Sequence, residues 1–150
     1  MFLVKDRSPL REQRILKMME EDASLSLLLA IIHFEWTVRR AIIALGTSPN
    51  LEIRKKLRDC HGAEKYKTVW KEEVFPRRDK RLPEVVTDWE GLLKAWNLRH
   101  RLIHGVSSCG KDYAQNKMIS ALHASKNIRD FASSHEVNLD ERLPVRMRKK

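Results

Sequence analysis

The sequence predicts an all-α fold, an antiparallel bundle of about five to six helices. Five Gly and five Pro among 150 residues are too few for a turn-rich all-β fold. Hydrophobic residues make up 42% of the chain, which is enough for the packed core of one domain. Apolar residues recur every three or four positions in several long segments, and no segment alternates as a strand would.

The first long helix is expected from about Ser24 to Leu45, where apolar residues recur at helical spacing. These residues are Leu27, Ile31, Phe34, Val38, Ile42 and Leu45. Gly46 is suited to ending this helix. Ser48 followed by Pro49 is typical of an N-cap and a first helical residue, so a shorter helix is predicted from there to Cys60.

A further helix is expected from Glu64 to Val74, followed by a basic loop between prolines over residues 76–83. Thr87 and Glu90 form a capping-box pattern, which predicts the start of a long helix that ends near Gly105. A final helix is predicted from about Tyr113 to Ser134, after a flexible turn and a cap at Asp112.

The two ends of the chain are strongly charged. The first residues are expected to form a charged arm that could be helical from Pro9, and the last nine contain five basic and no acidic side chains. Such an end is typical of a mobile tail. The predicted organisation is an N-terminal arm, a helical domain and a basic C-terminal tail, over residues 1–22, 23–135 and 136–150.

The formal net charge is +10, and 33% of the residues are charged. This balance favours a polyanionic partner, nucleic acid before an acidic protein, although ordinary solubility would also explain it. The two cysteines, Cys60 and Cys109, do not make a disulfide framework, so a reducing cytoplasm is expected. No secretory signal is visible, and the longest apolar run, residues 25–32, is too short to cross a bilayer, so no membrane partner is expected.

The helix that begins near Thr87 carries the candidate chemistry. Its inward side is predicted to hold Trp89, Leu92, Leu93, Trp96, Arg99, His100 and Ile103. A guanidinium and an imidazole would then stand where the pattern calls for leucine, and buried charge is costly unless it is paired or functional. One interpretation is a structural Arg99 paired with a carboxylate such as Glu35. The other is a groove flanked by Arg99 and His104, a cation and a titratable base suited to a phosphodiester.

The segment Trp96-Asn97-Leu98-Arg99-His100-Arg101-Leu102-Ile103-His104-Gly105 resembles the R-x4–6-H signature of HEPN domains. In that family the Arg is commonly followed by Asn, His or Lys, then three residues and His, so His100 stands where Asn is more usual. The family is also an all-α bundle with the motif on a late long helix, and residues 23–135 match that layout. Glu35, with Arg39 four residues later, resembles an acidic feature that often accompanies the motif on the first long helix.

The resemblance implies metal-independent RNA cleavage by a homodimer in which two motifs face one cleft. His104 or its partner-subunit equivalent would move protons, Arg99 would stabilise the phosphorane, and His100 and Glu35 would complete the catalytic set. A 2′,3′-cyclic phosphate and a 5′-hydroxyl would result, without a cofactor or metal. The expected phosphate-binding residues are Arg77, Arg78, Lys80, Arg81 and Arg101. A toxin or host-defence role, with an antitoxin or other regulatory protein, follows from the resemblance alone.

Two alternatives remain open at the level of sequence. The chain could be a non-catalytic HEPN-like module that binds RNA or protein. It could also be a zinc-dependent helical protein, because His100 and His104 have the i,i+4 spacing of a helical metal site. A third zinc ligand would then have to come from elsewhere, such as Cys109, His61 or Cys60. The remaining histidines, His33, His123 and His135, are expected to be isolated surface or core residues.

Overall fold

The structure, a computed structural model, describes residues 6–105 and 109–147. These residues form helices and connecting segments without a strand, which confirms the all-α prediction. The eight helices are α1 (Ser8–Glu21), α2 (Ala23–Leu45), α3 (Asn50–Arg58), α4 (Ala63–Glu73), α5 (Phe75–Arg78), α6 (Leu82–Val85), α7 (Trp89–Ile103) and α8 (Lys111–Ser134). Eight helices, instead of five to six, are therefore found in the described residues, and α5 and α6 are single turns.

The helices form two compact units, each built from two separate stretches of chain. Unit 1 contains the described residues of 1–35 and 88–125, and unit 2 contains those of 36–87 and 126–150. The division of the sequence at residues 22 and 135 stays a prediction.

Unit 1 has a core of aliphatic and aromatic side chains from α1, α2, α7 and α8. Its fully buried members include Ile15, Leu27, Ile31, Phe34, Leu92, Leu98 and Met118. Ile15 belongs to α1, and its carbonyl accepts a 2.7 Å hydrogen bond from the buried hydroxyl of Ser26. The N-terminal arm is therefore helical from Ser8 and contributes to a core, because Ile15 and the stem of Arg11 are removed from water.

Unit 2 is centred on α4, which contacts α3, α5 and α6. Tyr66, Trp70 and Val74 recur every four residues along this segment and are fully buried, as its apolar pattern predicts. The Trp70 indole N–H donates to the carbonyl of Lys80 at 2.8 Å, which satisfies its polar atom inside the core.

The predicted cap of α3 is wrong. Pro49 occupies the N-cap position, the helix begins at Asn50, and Ser48 does not cap it. The Ser48 hydroxyl instead donates to the carboxylate of Glu73 at 2.8 Å. A nearby carboxylate is a stronger acceptor than a neutral group, and the sequence spacing gives no sign that it is within reach.

The predicted basic loop over residues 76–83 is also wrong, because α5 and α6 occupy most of it. The prolines that suggested a loop stand in the first turns of these helices, where a missing N–H costs nothing. Asp79, with φ of 55°, separates the two helices in the left-handed conformation that Asp tolerates.

The predicted mobile tail is held by hydrogen bonds as far as Arg146. The Arg146 guanidinium donates to the carbonyls of Ile43, Ala44 and Ser48 at 2.6 to 3.1 Å. Leu143 is buried, and the Asn50 amide donates to the carbonyl of Pro144. The segment is held because α2 ends in carbonyls that lack helical partners, and a guanidinium fork supplies donors for them.

The two longest helices agree with the sequence to within a few residues. α2 begins one residue before the predicted Ser24 and ends at the predicted Leu45. α8 begins at Lys111, so Asp112 lies in its first turn and does not cap it. Over the described ranges, no helix combines the length and the apolar character that crossing a bilayer requires.

Candidate functional site

The helix that carries the motif, α7, starts from a cap one residue later than predicted. The Asp88 carboxylate accepts a 3.0 Å hydrogen bond from the Gly91 N–H, so Asp88 is the N-cap. A Cβ at Gly91 would overlap that carboxylate, so glycine leaves room for the cap. Thr87 does not cap α7, because its N–H and hydroxyl both donate to the Asn127 side chain at 3.2 Å.

The inward face of α7 is rotated relative to the prediction. Its buried residues are Gly91, Leu92, Ala95 and Leu98. Arg99 is half-buried, His100 is exposed, and Ile103 is 54% exposed. The prediction that Arg99 and His100 replace core leucines is therefore wrong. Gly91 and Ala95 belong to the buried face, but they are too small to mark it in a pattern of bulky apolar residues.

Arg99 is positioned by an aromatic contact. Its guanidinium lies over the Trp96 ring, 5.8 Å from the ring centroid. The Trp96 indole meets the fully buried Phe34 of α2 edge to face, with ring centroids 5.9 Å apart. Aromatic faces attract guanidinium groups, so this arrangement orients the cation at the border between the core of unit 1 and solvent.

The two histidines of the motif lie together at the end of α7. Their ring centroids are 4.3 Å apart, with 59° between the ring planes. His104 is the C-cap, and its N–H donates to the carbonyl of His100 at 3.2 Å. Gly105 follows with φ of 65°, a left-handed conformation that ends helices and favours glycine. Both imidazoles are exposed to solvent.

The acidic candidate Glu35 is half-buried on α2, directly after Phe34. His33, expected to be isolated, is fully buried, and its Nε2 lies 3.6 Å from a Glu12 carboxylate oxygen. His135 is not isolated either, because its Nδ1 lies 3.3 Å from a guanidinium nitrogen of Arg78. Burial and this guanidinium lower the pKa of His135 below its usual value.

The predicted RNA-binding residues are divided between the units. Arg101 is exposed on α7 in unit 1, and the other four belong to unit 2. Arg77 is exposed yet donates to the carbonyl of Gly46, and Arg78 contacts His135. Arg81 lies over the Phe75 ring at 5.0 Å, and Lys80 is exposed. Three of the four cations of this segment are therefore already partly engaged.

The zinc alternative needs a third ligand beside His100 and His104. Within residues 6–105 and 109–147, no three His, Cys, Asp or Glu side chains are grouped closely enough to hold a metal ion. Cys109 lies 4.0 Å from the Ser24 hydroxyl, and Cys60 is buried in unit 2.

Unit 2 contains a second basic cluster, which the sequence pattern did not predict. Trp36, Arg39 and Arg40 of α2 and Arg54 and Arg58 of α3 line one cavity. The two arginines of α3 are four residues apart and therefore share a helix face, which is the only signal that the sequence offers. The sequence does not show that this face of α3 lies next to α2.

No protein-family model, curated protein or solved structure matches this chain.

Proposed function

We propose that this chain is an endoribonuclease that cleaves RNA by attack of the ribose 2′-hydroxyl on the adjacent phosphate. The observation that carries the proposal is the pair of adjacent imidazoles, His100 and His104, that solvent can reach at the end of α7. Arg99 precedes His100 on the same helix, and its guanidinium lies over the Trp96 ring. Imidazoles can transfer protons and a guanidinium can stabilise the transition state in metal-independent cleavage of a phosphodiester.

Each group has a role in this reaction. An imidazole takes the proton of the 2′-hydroxyl, the hydroxyl oxygen bonds to phosphorus, and the bond to the 5′-oxygen breaks as that oxygen gains a proton. Arg99 stabilises the extra negative charge of the phosphorane. His104 is proposed as the principal proton-transfer group, with His100 beside it and Glu35 as an accessory catalytic residue. DNA lacks the nucleophile and is left intact.

The proposal includes a wider setting. Arg101 and the basic segment from Arg77 to Arg81 would contact backbone phosphates without reading sequence. Two copies of the chain would pair, so that one motif supplies the base and the other the acid. A cytoplasmic toxin or host-defence effector, held in check by an antitoxin or other regulatory protein, is the biological role in keeping with such an activity.

The test is an assay of the purified chain on single-stranded RNA in the presence of a chelator. Arg99→Ala is expected to slow cleavage about 100- to 1,000-fold, the effect of removing one transition-state donor. His104→Ala is expected to slow it about 100- to 10,000-fold, the range of general acid–base catalysis. The products should carry 2′,3′-cyclic phosphate and 5′-hydroxyl ends.

Matched controls come from the same chain. Lys94→Ala removes an exposed cation from α7, and His123→Ala removes an exposed imidazole from α8, so both should cleave as the unmodified chain does. Cleavage that survives both motif substitutions would refute the proposal. RNA binding without cleavage would favour the non-catalytic module, for which the packing of Arg99 over Trp96 is the supporting observation.

A further inference from the structure

The cavity in unit 2 has a strongly basic lining. Its volume is about 420 Å³, and Arg39, Arg40, Arg54 and Arg58 are among the residues that line it. The indole of Trp36 forms part of the remaining wall, and no carboxylate is among the described residues that line it. Four like charges around one opening repel each other and attract an anion.

Arg39 is fixed in place by neutral groups. Its guanidinium donates to the carbonyls of Leu57 and Cys60 at 2.9 and 3.0 Å, and to the Tyr66 hydroxyl at 2.6 Å. These acceptors orient the side chain without cancelling its charge. A guanidinium has five N–H donors, so donors remain for a ligand.

Arg40 is held in the same manner. It donates to the carbonyls of Leu139 and Glu141, both at 2.6 Å, and its guanidinium lies 4.9 Å from the centroid of the Trp36 ring. Burial lowers the pKa of Arg40, Asp140 opposes that shift, and the neighbouring charge of Arg54 adds to it. The protonated side chain is thus kept in a setting that an anionic ligand would stabilise.

Arg54 and Arg58 supply the adaptable part of the lining. Both are exposed and stand four residues apart on α3, a spacing at which like charges repel. Among the described residues, neither makes an ion pair that would offset this repulsion. An anion between them and the fixed arginines would remove the repulsion and satisfy donors on both sides.

We propose that this cavity binds an oligophosphate group, meaning two or more linked phosphates. Four guanidiniums match several adjacent phosphate charges, because the planar fork of arginine donates two parallel hydrogen bonds to phosphate oxygens. The volume lies in the range of small-molecule pockets, roughly 300–1,000 Å³, and exceeds the need of a single phosphate ion. The Trp36 wall provides apolar surface for an organic group attached to the phosphates. This site does not depend on the proposed cleavage.

The experiment uses the full chain carrying Arg99→Ala, so that any cleavage of the RNA probes is slowed at least about 100-fold. Binding is measured by calorimetry with tripolyphosphate, ATP, adenosine, and RNA bearing either a 5′-triphosphate or a 5′-hydroxyl. All three triphosphate probes are expected to bind, and adenosine is not. The order of affinity among the three then identifies the natural source as a free oligophosphate, a nucleotide or an RNA end.

Two substitutions and a matched control assign the binding to this cavity. Arg54→Ala and Arg58→Ala should each weaken triphosphate binding about tenfold, the effect of one charge-assisted hydrogen bond. Lys55→Ala removes an equal charge from the same helix outside the cavity and should leave the affinity unchanged. Unaltered circular dichroism would show that the variants fold.

The proposal would be overturned by the absence of binding for all three triphosphate probes. Equal weakening by Lys55→Ala and Arg54→Ala would also overturn it, because net charge and not this cavity would then account for the affinity. A third contrary result would be that 5′-hydroxyl RNA binds as tightly as 5′-triphosphate RNA and that both respond equally to Arg54→Ala.

Discussion

The carboxylate of Glu73 holds the turn between α2 and α3. It accepts hydrogen bonds from the backbone N–H groups of Thr47 and Ser48 and from the Ser48 hydroxyl, and it lies 2.7 Å from the ammonium of Lys56. Its side chain is 2% exposed. A buried carboxylate with four donors stabilises the fold only while it is ionised, since a protonated group accepts fewer and weaker bonds.

We predict that Glu73→Gln lowers the free energy of unfolding at neutral pH by about 1–3 kcal/mol, because an amide replaces the charged acceptor. Burial alone would raise the pKa of Glu73, but the bonds from Lys56 and Ser48 lower it below its usual value of 4.5. Its contribution is therefore present above about pH 4.5 and is lost as pH falls through the lower folded value. Urea unfolding of both chains from pH 7 to 3 measures this.

Glu72→Gln is the matched control, because Glu72 is the preceding residue, is half exposed and lies 3.4 Å from the same ammonium. A solvent-exposed ion pair of this kind is worth less than about 1 kcal/mol. If Glu72→Gln costs as much as Glu73→Gln, or if the acid loss of stability is the same in all three chains, the role given to Glu73 is wrong.

At the scale of elements, α7 shows how well the sequence anticipates a helix and where it fails. The predicted helix is present. Its signal, apolar residues that recur every three or four positions, can be seen in the sequence alone. Its first residue and its buried face differ from those that the sequence predicts. Thr87 does not cap α7, because its hydroxyl donates a hydrogen bond to the side chain of Asn127, forty positions later in the chain. A competing partner from another helix cannot be recognised in a local pattern.

We predict that Asp88→Ala lowers the free energy of unfolding by about 1 kcal/mol, because the Gly91 N–H at the start of α7 loses its acceptor. Thermal unfolding followed by circular dichroism measures the change. Asp88→Asn should retain most of the stability, since an amide oxygen also caps. If Asp88→Ala leaves the transition unchanged, Asp88 is not the working cap of α7.

The prediction of a mobile C-terminal tail is wrong for a related reason. A run of Arg and Lys with no acid is typical of a solvated tail, and the sequence holds no sign that Arg146 finds acceptors. Those acceptors are main-chain carbonyls at the end of α2, groups that every residue carries. A side chain that donates to backbone carbonyls needs no residue of a particular type as its partner. The sequence therefore gives no sign of the contact.

We predict that Arg146→Ala lowers the free energy of unfolding by about 1–3 kcal/mol, because the carbonyls of Ile43 and Ala44 lose a charged donor. Arg146→Lys should recover part of this, since an ammonium lacks the fork that reaches several carbonyls at once. The control is Arg142→Ala, at an exposed position of the same segment. Chemical denaturation measures all three, and equal losses at both arginines would contradict the capping role.

At the scale of the whole molecule, the candidate cleavage site was predictable as far as it lies on one helix. His100 and His104 are close in sequence, and their rings lie together at the end of α7. The support of Arg99 by Trp96 and Phe34 was not predictable, because Phe34 comes from α2. The basic cavity of unit 2 was missed for the same reason, since two helices contribute its arginines.

We predict that one cleavage event requires two chains. If two motifs act in one cleft, a His104→Ala subunit inactivates the unmodified subunit that pairs with it. Unmodified chain is mixed with a ninefold excess of the variant. If chains pair at random, about one tenth of the unmodified chains pair with another unmodified chain, so the activity per unmodified chain should fall to about one tenth. The mixture is first unfolded and refolded together, and cleavage of RNA is then measured.

Dilution with Lys94→Ala in place of His104→Ala should cause no loss, because that subunit keeps its motif. Activity proportional to the amount of unmodified chain, whatever the excess of variant, would mean that each motif cleaves alone and that Arg99 and His104 of one chain suffice.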